Sequence, residues 1–249
     1  MEKEKQYRLS PTFGDSFGTG WYVMSDNFLR LFLLVVIICI IAAPFRIVQI
    51  KIDPSDFHWA PWHWDHLIRF STFGILAIFY GLISSLYALL VAPVFQFGAG
   101  LMFLNAVRQT KPDFEILIKG FRENYLAVIL ANLLVIALVV LGLFALIVPG
   151  IIIACRLSFV PFIIMDKKLD PIESVEYSWK LTRGYGWTIF FMGFTSLFII
   201  IFGMILLLVG VFPAIIWIWS SFATLYESII QVKEKPVGQV AENMAEQAL

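Results

Sequence analysis

One charge stands in the apolar stretch from Tyr125 to Met165: Arg156. A guanidinium among apolar neighbours is expensive, and within a membrane it is a functional-site hypothesis by default. Three partners are open to it. Asn132 lies earlier in the same stretch, and Glu227 lies in the last apolar run. The third is the phosphate of a lipid from the cytoplasmic leaflet. Either side chain would make Arg156 a pin between helices. The phosphate would make it an anion or head-group contact.

Other residue sets are weaker. His58, His63 and His66 lie close to Asp56 and Asp65, and His63 and His66 share a helix face if the segment is helical. Pro61 interrupts them, and the spacing matches no strong metal template. With Trp59, Trp62 and Trp64 alongside, the segment reads as an interfacial aromatic loop. Ser174 and Ser178 share a face, but a nucleophile needs a base, and no histidine lies in that half of the chain. Gly98-x-Gly100 lacks the lysine and hydroxyl of a phosphate loop and suits close helix approach instead. No membrane run carries paired carboxylates, which disfavours a proton relay. No catalytic residue, metal or cofactor is expected.

The elements that position these residues follow from composition. Of 249 residues, 60% are hydrophobic and 14% charged, with a mean hydropathy of +0.85. Soluble domains carry roughly 25% charge. Eighteen basic residues balance eighteen acidic ones, which argues against a nucleic-acid surface. Cys39 and Cys155 both sit in apolar runs and form no disulfide framework. The expected fold is all-α: a polytopic transmembrane bundle of about six helices with cytoplasmic interfacial amphipathic helices. Residues 1–27 form an N-terminal interfacial segment, 28–231 the transmembrane domain and 232–249 a flexible tail. The polar start lacks a signal-peptide core, so the first apolar helix is expected to remain as an anchor.

Along the chain, Ser10-Pro11 can open a helix whose face carries Phe13, Phe17, Trp21 and Met24. Leu31–Phe45, between Arg30 and Arg46, is the first crossing. Residues 70–107 are uncharged, and Pro93 and Gly98-Ala99-Gly100 interrupt them, so they form a hairpin or one long broken helix. Halving Tyr125–Met165 puts a turn near Gly142 and leaves Pro149-Gly150 as a kink within the next helix. Gly210 to Pro213 is the expected turn of the last run. Asp170-Pro171-Ile172-Glu173 looks like a capped helix start. Ile172, Val175 and Trp179 share one face there, and Glu176 and Lys180 pair on another.

A weak threefold repeat runs through this order. Pro11, Pro112 and Pro171 each open a semi-polar segment. These end at Asn27-Phe28, Asn124-Tyr125 and Gly186-Trp187, where apolar runs begin. The basic residues of the N-terminus, of 108–124, of 166–186 and of the tail can all share the cytoplasm under the positive-inside rule. That arrangement requires residues 70–107 to cross once, and it puts both termini inside.

Val148-Pro149-Gly150-Ile151, Arg156, Pro161, Asp166 and the stretch from Glu173 through Ser178 to Gly184 resemble a pattern shared by bacterial membrane families. These are the YciC-like proteins and the membrane domain attached to some glycerophosphoryl diester phosphodiesterases. Pro93, Gly98, Leu104, Arg108, Phe114 and Gly120-Phe121 are similar to the preceding part of that pattern. The resemblance covers about residues 90–190. It implies a six-helix protein of the bacterial inner membrane and no settled activity, since the soluble catalytic domain is absent. The expected function is a non-enzymatic module that binds or moves lipid or another anionic amphiphile. A scaffold for other membrane proteins and a lipid-modifying metalloenzyme are the alternatives.

Overall fold

The computed structural model describes residues 9–47, 78–110, 116–117, 124–205 and 210–246. Among these residues all regular structure is helical. The helices are α1 (Phe13–Asp26), α2 (Phe28–Ile47), α3 (78–90), α4 (Ala92–Val107), α5 (Tyr125–Ala145), α6 (Ile147–Leu157), α7 (Val160–Lys167), α8 (Pro171–Leu181), α9 (Gly186–Ile205) and α10 (Val211–Glu246). Five spans are long and apolar enough to cross a membrane: Ile78–Val107, Tyr125–Ala145, Ile147–Lys167, Gly186–Ile205 and Val211–Glu234. The bent pair α1–α2 would make a sixth. The chain is a multi-pass membrane protein, and the large apolar side chains left exposed on α3, α5 and α9 face where acyl chains would lie.

α10 is the hub. Of its apolar window 61% is buried, against 11% for the span that contains α3. It packs against α1, α4, α9 and α2. Among the large buried side chains Ile216, Leu225, Tyr226 and Ile229, its inner side carries small polar ones: Ser220, Ser221, Thr224 and Ser228. Ser221 and Thr224 donate to the carbonyls of Trp217 and Ser220, so their hydroxyls cost little inside. Small residues let helices approach closely in lipid. A Cβ on Gly20 of α1 would fall 2.8 Å from the Ser221 backbone.

α1 differs from its sequence reading in two ways. Thr12, not Ser10, is the cap, accepting from the Asp15 amide at 3.3 Å. The packed face is Ser16, Phe17, Thr19, Gly20, Val23 and Met24, while Phe13 and Trp21 are exposed. The narrow approach to α10 selects the small residues. At Asn27 the chain turns by 92° into α2.

Residues 78–107 settle as one broken span rather than a hairpin. The break is at Val91, just before Pro93, whose ring cannot accept a continuous helix. At 30 residues the span runs about 45 Å, longer than the ~30 Å hydrocarbon core.

The turn of the long apolar stretch is at Leu146, which is extended, and not at Gly142. Pro149 falls in the first turn of α6, where a missing amide is harmless, so Pro149-Gly150 is not a mid-helix kink. Gly142 and Gly150 face each other across the turn. A Cβ on Gly142 would lie 3.0 Å from Gly150 Cα. The next break is at Ser158-Phe159, before Pro161, which separates α6 from α7. In the last hairpin Gly210 lies in the turn and Pro213 in the first turn of α10. Gly203 approaches the Gly210 carbonyl so closely that a Cβ would sit 2.9 Å from it.

The repeat has a counterpart here. α2, α5 and α9 begin at or beside Phe28, Tyr125 and Trp187. α5 and α9 are each followed by a helix with proline in its first three residues, α6 (Pro149) and α10 (Pro213), and in the first unit such a helix, α4 (Pro93), comes after α3. α1 and α8 precede two of the three pairs. α10 continues as helix to Glu246, through the stretch read as a tail, and Lys233 and Glu234 pack on the bundle.

Candidate functional site

Two charged clusters gather near the ends of α4, α7 and α8 and along α10, and they differ in whether their charges are matched. In the first, Arg108 follows α4 and forks between two acids. It donates through Nε to Glu227 at 2.8 Å and through Nη2 to Asp166 at 2.9 Å, and it also pairs with Asp166 through Nη1. Tyr226 donates to Asp166 at 3.1 Å, and Gln231 donates to Glu227 at 3.1 Å. The side chains of Asp166 and Glu227 are only 12% and 11% exposed, so the pairing is sheltered from water. Burial opposes the charge on Arg108, but the Asp166 hydrogen bond and the two carboxylates outweigh it and hold its pKa above the ordinary value. Alongside, Lys167 meets Glu234 at 2.5 Å, and Tyr177 donates to the same carboxylate. Burial, then the Glu234 hydrogen bond, pushes the Tyr177 phenol up and keeps it neutral.

Glu227 is therefore not the partner of Arg156. It faces α4 and is held by Arg108, whereas α6 packs on α5, α8 and α9. Asn132 is half-buried on α5, and its side chain makes no hydrogen bond among the described residues. Of the three candidate partners, neither protein group engages the Arg156 guanidinium.

The backbone around Arg156 is tied down instead. Pro161 cannot donate back to Leu157, and the helix opens at Ser158-Phe159. At that break the Arg156 carbonyl accepts from Ser178 Oγ at 2.7 Å and from Thr182 Oγ1 at 3.3 Å. Ser174 Oγ donates to the Leu169 carbonyl. This explains why the Ser174–Ser178 face of α8 turns to the bundle. Ser174, Ser178 and Leu181 are buried, while Ile172 and Trp179 are exposed. Unpaired carbonyls in an apolar setting attract hydroxyls more strongly than the bundle attracts more hydrocarbon. Asp170 precedes α8 without a side-chain capping bond, and Glu176 and Lys180 pair at 3.5 Å as expected. Gly184 has φ +96°, the left-handed turn that ends the segment. Lys233 closes the end of α8, donating to the carbonyls of Lys180, Leu181 and Arg183 at 2.9–3.0 Å.

The Arg156 guanidinium lies 5.7 Å from the Trp179 ring centre, and its Nη1 is buried without a hydrogen-bond partner. Lys233 sits on the carbonyls that run to Arg183, and the Arg156 carbonyl is held by Ser178 and Thr182, so three cationic residues meet at the C-terminal end of α8. No carboxylate among the described residues pairs with any of them. The corner can hold an anion. A neighbouring depression of about 290 Å³ is lined by Leu169, Glu173, Glu176, Tyr177 and Lys180 and lies on the acidic side of α8, where an anion would be repelled.

Of the motif residues, Pro149 and Gly150 lie at the turn into α6, Ser178 holds the Arg156 carbonyl and Gly184 takes the left-handed turn after α8. The aspartate and histidine loop at 56–66 lies outside the described residues, and no metal cluster occurs among the described ones. Sequence reading passed over the Arg108 cluster, although a signal was present. Asp166 lies 41 residues after Tyr125 and Glu227 lies 40 after Trp187, the same place in two repeat units. No family model, curated protein or solved structure matches the chain.

Proposed function

We propose that this protein is a non-enzymatic module of the bacterial inner membrane, with both termini in the cytoplasm, that binds or moves an anionic amphiphile. The YciC-like resemblance gives the setting. The single observation that carries the reading is the Arg156 guanidinium, with one nitrogen buried and unpartnered while the carbonyl of the same residue is held by Ser178 and Thr182. A buried unpaired donor costs about 1–3 kcal/mol, more when charged. A lipid phosphate supplies what is missing, and Trp179 beside it is the residue type that sits at head-group depth.

The test is the lipid that co-purifies with the protein, read by mass spectrometry. Arg156→Ala is expected to lose the anionic lipid that the unaltered protein retains. An unchanged lipid complement would end the head-group role.

A further inference from the structure

The matched and unmatched clusters together indicate what kind of anion fits. Arg108 and Lys167 stand against three carboxylates, those of Asp166, Glu227 and Glu234, so this cluster has no surplus positive charge for an anion. At the other corner, the three hydrogen bonds from Lys233 all go to backbone carbonyls, so it contributes charge but no free hydrogen. Arg156 has the free donor. Arg183 is exposed and makes no side-chain bond among the described residues. At this corner Lys233 thus adds charge alone, while Arg156 and Arg183 keep donors for a ligand.

Resting on the head-group reading above, we infer that Arg156, Arg183 and Lys233 form a site for a phosphomonoester, preferred over the phosphodiester of ordinary anionic lipids. A phosphomonoester carries about −1.5 to −2 at neutral pH and has three terminal oxygens, whereas a diester carries one charge and two such oxygens. The added charge gains against all three cations at once, Lys233 included, because Coulomb attraction needs no hydrogen bond. Arg156 and Arg183 have donors enough for the extra oxygen. Trp179, exposed on the outer face of α8, would lie beside the lipid's glycerol or chain.

The experiment is native mass spectrometry of the full chain with defined phospholipids. The probes are phosphatidic acid as the monoester, phosphatidylglycerol as the diester, and inorganic phosphate as competitor. Phosphatidic acid is expected to bind about tenfold tighter than phosphatidylglycerol. Arg183→Gln, at an exposed position that does not bear on folding, should shrink that ratio severalfold. Arg156→Gln should weaken both lipids, and Arg156→Lys should retain part of the binding. Inorganic phosphate that displaces phosphatidic acid at submillimolar concentration would assign the same chemistry to a soluble ligand. Weak competition, at tens of millimolar, would assign it to a lipid. Equal affinity for the two lipids, both lost in Arg156→Gln, would overturn the monoester preference and leave the head-group reading standing. Binding unaffected by Arg156→Gln would overturn both.

Discussion

Replacing Gly150 with alanine tests the geometry on which the placement of Arg156 depends. A Cβ there would fall 2.5 Å from Leu143 Cγ and Cδ2 and 2.8 Å from the Leu143 backbone nitrogen. The side chain could rotate away, but the backbone atom could not. The C-terminal turn of α5 must shift, and α6 with it. Overpacking of this kind costs about 1–3 kcal/mol. Alanine recovers up to about 1 kcal/mol of helix propensity, which leaves a net loss of about 0–2 kcal/mol. Gly193, midway along α9, is the control, because a Cβ there meets nothing within 4 Å. Gly193→Ala should gain up to about 1 kcal/mol. The assay is thermal unfolding in lipid nanodiscs, where each kcal/mol moves the midpoint by about 2–4 °C for a chain of this size. The two substitutions should move it in opposite directions. A Gly150→Ala protein as stable as Gly193→Ala would refute the close approach of α5 and α6.

The remaining predictions are simpler. Arg108→Met strands two sheltered acids and should cost about 2 kcal/mol, below the range for fully buried pairs because Arg108 is 30% exposed. Adding Asp166→Leu and Glu227→Leu should restore most of it, and a triple variant no more stable than the single would count against a matched cluster. Ser178→Ala with Thr182→Val leaves the Arg156 carbonyl unpaired and should cost about 1–3 kcal/mol, with faster amide exchange across α8. No change in exchange would mean that α8 is held by other contacts. Reporter fusions after Lys119 and after Lys180 should report the same compartment. Opposite readouts would overturn the proposed topology.

The positions of the apolar runs were legible because a bilayer imposes length and composition together. Helix starts at Tyr125 and Gly186 and the role of Gly98 followed from local pattern, and a Cβ on Gly98 would indeed meet the Leu117 backbone at 3.1 Å. The turn near Gly142 was displaced because dividing a run in half ignores how proline behaves. Pro149 belongs in a first turn, which moves the boundary to Leu146. That Ser174 and Ser178 share a face of α8 was legible, but what they bond to was not, because periodicity counts side chains only. The carbonyl freed near Pro161 is a backbone feature, and it decided which side of α8 turned inward. Arg156 was visible as an isolated charge. The ion pairs of Arg108 were not, since they join residues 58 and 119 positions apart. Only the repeat, read as register rather than resemblance, could have drawn them together.

That register has an outcome for the architecture as a whole. The final helix of each of the three units delivers a single group to one meeting point: a guanidinium from the first, an aspartate from the second and a glutamate from the third. Three copies of any one unit would bring like signs into contact and fly apart. The first unit is therefore distinguishable from the other two by sign, and the cluster needs its one guanidinium beside their two carboxylates. Covalent linkage in a single polypeptide enforces that stoichiometry, and the tripartite seam is where a permuted or duplicated unit would first fail to close.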